Sequence, residues 1–78
     1  MAAFSKGQIV KFDRNMITKM ASTVVSAVVP LIQGIPQSYI IECNLTGSWT
    51  PNDIRVKQFD LDANKTYLFV KESELTAI

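Results

Sequence analysis

This sequence predicts one mainly-β domain of about five short strands, with a single amphipathic helix inserted after the first strand. Three observations predict it. Separate segments of the 78 residues are rich in β-branched and aromatic side chains. Gly, Pro, Asn, Asp and Ser gather between those segments, at 30–38, 46–53 and 60–64. After Asp13, apolar residues recur at helical rather than alternating spacing.

Gly7-Gln8-Ile9-Val10-Lys11-Phe12 reads as the first strand, 7–12, following a Lys-Gly turn. Asp13 and Asn15 then offer helix caps. At 100° per residue, Ile17, Met20, Ala21, Val24, Val25, Ala27 and Val28 fall on one side. Thr18, Lys19, Ser22, Thr23 and Ser26 fall on the other. The spacing predicts a helix over about 14–29, stopped before Pro30. Valine and threonine lower helix propensity, so a β-rich alternative stays open. Residues 39–45 form a second strand, and 46–53 a turn region holding Gly47, Trp49 and Pro51. Residues 54–59 and 66–71 pair around the turn 60–64. The chain finishes with a short helical turn and a last short strand. The expected core is Ile9, Val10 or Phe12, with Val24, Val28, Ile40, Ile54, Val56, Leu68, Val70 and Leu75.

This order resembles small SH3-like barrels of the phage or bacterial accessory type. The resemblance rests on the opening strand Gly7-Gln8-Ile9-Val10-Lys11-Phe12, which has the "G-x-x-V" start of such barrels. It rests also on Tyr67-Leu68-Phe69-Val70-Lys71-Glu72-Ser73-Glu74-Leu75, similar to their closing strand and single helical turn. It implies a five-stranded barrel. The sequence departs from the family in the helix placed where a simple loop is usual. It also lacks the acidic loop and aromatic set with which SH3 domains hold proline-rich ligands. The resemblance therefore implies a fold and not a ligand.

Composition narrows the function. Eight basic and seven acidic residues leave a net charge of +1, which exerts no long-range pull on nucleic acid or an anionic membrane. None of those charges lies between Lys19 and Glu42. That run is long enough to span a bilayer, but Ser22, Thr23, Ser26, Gln33, Gln37, Ser38, Pro30, Gly34 and Pro36 argue against it. The expectation is a cytoplasmic protein with no membrane segment, and the single Cys43 fits a reducing compartment. Histidine is absent, which removes the commonest general base and the commonest metal ligand. The reading is a non-enzymatic chain without metal or cofactor.

Asp60-x-Asp62-x-Asn64 has the first three ligand positions of a calcium loop. Lys65 and Lys71 stand where that loop needs glycine and a closing glutamate, so a solvated turn is expected. In a 54–71 hairpin, Arg55, Lys57, Phe59, Lys65, Tyr67, Phe69 and Lys71 would share one face. Cations interleaved with rings are what a single-strand nucleic-acid platform needs. The bland alternative buries Phe59 and Phe69 and leaves the lysines as edge protection, and the near-zero net charge favours it. Trp49 in its polar turn reads equally as a binding anchor or as a lid on the core. Cys43 reads as structural. The hydroxyl face of Thr18, Ser22, Thr23 and Ser26, with Lys19 its single charge, suits coverage by a partner or a second copy.

Together these features predict a small protein-interaction module that binds and modulates a larger protein, as an accessory factor or inhibitor, or that self-associates. Its contact residues would be Trp49, Thr18, Ser22 and Ser26. The alternative is a nucleic-acid-binding module using Arg55, Lys57, Phe59, Tyr67, Phe69 and Lys71.

Overall fold

The structure, a computed structural model, describes residues 3–15, 18–31, 33–50 and 56–78, with the backbone alone of Val56 and Lys57. Five antiparallel strands form one sheet: β1 (Ile9–Asp13), β2 (Lys19–Val28), β3 (Ser38–Glu42), β4 (Tyr67–Lys71) and β5 (Leu75–Ala77). Their spatial order is β4-β3-β2-β1-β5. A helical turn, α1 (Val56–Phe59), precedes β4, and a 3-10 turn at Glu72–Glu74 separates β4 from β5. The mainly-β expectation holds.

The helix expected over 14–29 does not form; Lys19–Val28 make β2, at ten residues the longest strand among the described residues. The misreading has a physical cause. Against β1, Val10 faces Thr23 and Phe12 faces Met20, so β2 spends three steps where β1 spends two. Against β3, Val25 faces Ile41 and Ala27 faces Ile40, so β2 again carries one extra residue. Each bulge shifts the inside-outside alternation by one place. Two such shifts within ten residues break the period of two and imitate a helical period. The β-branched Thr23, Val24, Val25 and Val28 suit the strand, and neighbours on both sides supply the tertiary pairing that decides it.

The second bulge also divides the apolar residues between two clusters. Val25 packs with Phe4, Val10, Phe12, Tyr39, Ile41, Val70 and Leu75 in the main core, while Ala27 joins Val29, Ile40 and Tyr67 on the other face. Phe59, Leu61 and Phe69 pack against that second cluster. β3 is therefore covered on both faces, with Ser38 to Ile41 all buried. A strand buried on both faces admits no charge, which accounts for the uncharged stretch Ser38 to Ile41 of β3.

Several expected positions move. Val10, Phe12, Ile40, Val70 and Leu75 are core, and Val28 and Leu68 pack against it. Ile9 is 51% exposed and Val24 is half-buried, because Val10 and Val25 take the inward positions beside them. Ile54 lies outside the described residues, as does the side chain of Val56. The first strand begins at Ile9 and the strand expected at 39–45 stops at Glu42, although Cys43 N–H still donates to Thr66 O at 2.9 Å.

The strand expected at 54–59 is not seen: residues 56–59 are helical, and β4 pairs with β3 instead. Asp60, at φ 55°, ends the helical turn in the left-handed region that Asp tolerates better than most residues. The chain then folds Phe59 and Leu61 onto the second cluster.

Nor is the sheet closed into a barrel. Its end strands are β4 and β5, with no ladder between them among the described residues. Arg14, just past β1, reaches β4 across this seam. Its Nη2 donates to Phe69 O at 3.2 Å and its guanidinium pairs with Glu74 at 2.6 Å. A side chain stands where a closed barrel would carry backbone hydrogen bonds.

Candidate protein-binding surface

Trp49 leaves the turn 45–48, where Gly47 adopts φ 83° and Ser48 N–H donates to Leu45 O at 3.2 Å. That conformation suits glycine. Tyr67 N–H then donates to Trp49 O at 2.7 Å, setting Trp49 as an isolated bridge along the outer edge of β4. The indole leans on Phe69, ring centroids 5.9 Å apart and planes at 52°. Trp49 remains 42% exposed. It is thus both packed and presented: one flank rests on Phe69, which is itself half-buried on the second cluster.

The other expected contact residues do not join it in one face. Thr18 is half-buried and lines a hollow of about 300 Å³ with Leu45, Thr46, Gly47, Ser48 and Leu68, beside the turn that carries Trp49. Ser22 is exposed and lines a separate cleft of about 600 Å³. Ser26 is half-buried at the second bulge. Without a helix the hydroxyls are distributed along a bent strand. Asn15, expected as a helix cap, instead caps the β1–β2 turn by accepting the Thr18 N–H at 2.8 Å.

The alternative basic and aromatic face is also rearranged. Arg55 lies outside the described residues, as does the side chain of Lys57. Tyr67 is only 3% exposed and its hydroxyl accepts the Asp62 N–H, while Phe59 and Phe69 are half-buried. Lys71 is exposed. Lys65 bonds Glu42 at 2.6 Å, and that pairing raises its pKa. Both phenylalanines are half-buried and pack against the second cluster. The turn 60–64 is organised by itself, Asp62 Oδ1 accepting from Asn64 N–H at 2.9 Å.

Electrostatically the molecule is knitted by carboxylates at the end of β4. Tyr39, fully buried, donates its hydroxyl hydrogen to Glu72 Oε1 at 2.6 Å. The same hydroxyl accepts from the Ala3 and Phe4 N–H groups, which ties the N-terminal segment to the core. Burial first, and the bond to Glu72 second, raise the Tyr39 pKa, while the Tyr39 hydroxyl and then the Ala3 N–H lower that of Glu72. Arg14 lowers the Glu74 pKa in the same way. These are structural pairings in which every carboxylate has a fixed partner.

Cys43 is buried, and its Sγ lies 3.1 Å from Ser48 Oγ. Among the described residues no group of three or more His, Cys, Asp or Glu side chains could hold a metal ion. No helix among them is long and apolar enough to cross a membrane. No family model, curated protein or solved structure matches this chain.

Proposed function

We propose that this chain is a non-enzymatic protein-interaction module that binds and modulates a larger protein through Trp49. The observation that carries the reading is the indole held by Phe69 and by the Tyr67 bridge while still 42% exposed. An aromatic side chain fixed before binding loses little entropy when a partner covers it, which is why tryptophan anchors dominate contact surfaces. The Thr18 hollow beside the same turn extends the surface. An SH3-like strand arrangement, opened at the β4 seam, accompanies this reading. Its support is the strand order and the 3-10 turn between the last two strands. The inserted helix that set the sequence apart from such barrels has gone.

The test is affinity capture of the partner by the wild-type chain and by Trp49→Ala, with and without nuclease. Loss of an exposed anchor weakens binding by about 2 kcal/mol or more, roughly thirtyfold. Capture that nuclease abolishes, that falls steeply with salt and that ignores Trp49→Ala belongs to a nucleic-acid binder and ends the proposal.

A further inference from the structure

The two ends of the β2–β3 ladder carry opposite shapes. At one end the chain leaves β2 after Val28, runs through the uncharged stretch 29–37 and returns as β3. The neck of this loop is closed. Val29 N–H donates to Ser38 O at 3.1 Å, and Gln37 Nε2 donates to Val29 O at 2.7 Å and to Ser38 O at 3.1 Å. Ser38 Oγ donates to Pro36 O at 3.0 Å, and the fixed φ of Pro30 and Pro36 stiffens the tip. The tip presents Leu31 and Ile35 to solvent, 73% and 51% exposed. A knob held this way before contact loses little freedom on docking. At the other end, where Thr18 precedes β2 and residues 45–48 follow β3, lies the hollow of about 300 Å³. Thr18, Leu45, Thr46, Gly47, Ser48 and Leu68 line it, and none of them is charged.

We propose that the hollow receives the Leu31 and Ile35 knob of a second copy of this chain, so that copies associate head to tail. Volume, polarity and charge select this occupant. A cavity of about 150 Å³ lined by apolar side chains holds one benzene, so twice that volume takes two four-carbon side chains. The hollow offers Leu45 and Leu68 for the knob to pack on and no charge to pair with an ionic ligand. Identical copies meet in this way only if the two poles do not repel. Lys71 and Glu72 stand at the base of the knob, through the Ser38–Lys71 pairing and the Glu72 N–H bond to Gln37 O. Beside Thr18, Lys19 faces Asp13 in the β1–β2 ladder. Each pole thus carries both signs, and a net charge of +1 opposes association little. Because knob and hollow lie at opposite ends, a joined pair still has one of each free. The contact is heterologous and builds chains or rings rather than a closed dimer. This inference goes beyond the Trp49 reading and shares with it only the hollow.

The contact is small, so the test is light scattering and sedimentation velocity of the full chain from about 10 μM to about 1 mM, the range of weak interfaces. The expected result is an average mass that climbs past two copies. Amide resonances that shift with concentration should be those of Leu31, Gly34 and Ile35 at the tip and of Thr18, Thr46, Gly47 and Ser48 at the hollow. Leu31→Asp with Ile35→Asp removes the knob, and Thr46→Glu charges the hollow. All three positions are exposed, so both variants should keep the wild-type amide spectrum elsewhere and stay at one copy. Mixed in equal amounts, the two variants supply one intact hollow and one intact knob, and should form a dimer and nothing larger. A wild-type mass of one copy at the highest concentration, a plateau at two, or concentration shifts elsewhere in the sheet each overturn the proposal. So does a variant that assembles alone, or a mixture that stays at one copy or exceeds two. Loss of partner capture in Trp49→Ala with assembly intact, or the reverse, ends one reading and leaves the other standing.

Discussion

Tyr39→Phe removes one oxygen from a buried side chain that makes three hydrogen bonds. The ring has no exposed surface and meets Phe4 edge-on, centroids 5.4 Å apart and planes at 77°. Phenylalanine keeps that packing. What disappears is a hydroxyl that accepts the Ala3 N–H at 3.0 Å and the buried Phe4 N–H at 3.3 Å. Ala3 retains Glu72 Oε1 at 3.0 Å, whereas Phe4 has no second acceptor among the bonds observed. A buried donor left unpaired costs about 1–3 kcal/mol. In a domain of this length, 2 kcal/mol lowers Tm by roughly 8–16 °C. Urea unfolding followed by Trp49 fluorescence should show a lower midpoint at unchanged m, because the surface exposed on unfolding is the same.

The substitution also has a pH signature. The Tyr39 hydroxyl is the first cause of the lowered Glu72 pKa. A carboxyl held low in the folded state stabilises fully above its unfolded pKa of about 4.3 and loses that contribution as pH falls through its folded value. In Tyr39→Phe the Glu72 carboxyl should titrate nearer the ordinary value, and stability should fall less steeply below about pH 4.5. An unchanged urea midpoint together with an unchanged Glu72 titration, followed by carboxyl resonances, would refute the reasoning.

Val25→Asp should unfold the domain by burying an unpaired charge at a position with no exposure, whereas Val24→Asp, half-buried on the other face, should keep a folded circular dichroism spectrum. Equal damage from both would restore the helix that places them side by side. Arg14→Ala should cost about 1 kcal/mol, the upper end for a partly exposed ion pair, the Arg14 and Glu74 side chains being 40% and 15% exposed. It should also return the Glu74 carboxyl toward its ordinary pKa, so an unmoved Glu74 titration would contradict the assigned pair. The Cys43 thiol, 7% exposed, should react with an aromatic disulfide only as fast as the protein opens. Immediate reaction in native buffer would place it at the surface.

How much of this was legible in the residues depends on whether a segment's pattern survives its pairing. β4 and the turn after it were, because alternation in Tyr67-Leu68-Phe69-Val70-Lys71 is regular and its partner strand is unbulged. β2 was not. Its two bulges scramble the alternation, and bulges come from the register of neighbouring strands, which no local window contains. The turn at 56–59 was hidden for a related reason. Val56 and Phe59 have strand chemistry, but β3 pairs with β4 and Trp49 takes the outer edge of β4. Trp49 itself was visible as a candidate from its polar turn, whereas its support by Phe69, twenty residues on, was not.

The same bulges link the fold to its candidate surface. By shifting phase at Ser26, β2 sends Val25 into the main core and Ala27 to the opposite face. That second set of apolar residues, Ala27, Val29, Ile40 and Tyr67, gives Phe69 a floor, and Phe69 in turn holds the indole. The shift at Ala21 and Ser22 belongs to the part of β2 that stays with β1 after β3 has parted from it. A regular β2 would keep one alternating face inward throughout, and Ala27 would then follow Val25 into the main core. The irregular residues that disguise this strand in the sequence are therefore those that build the support beneath Trp49 and border the cleft that Ser22 lines.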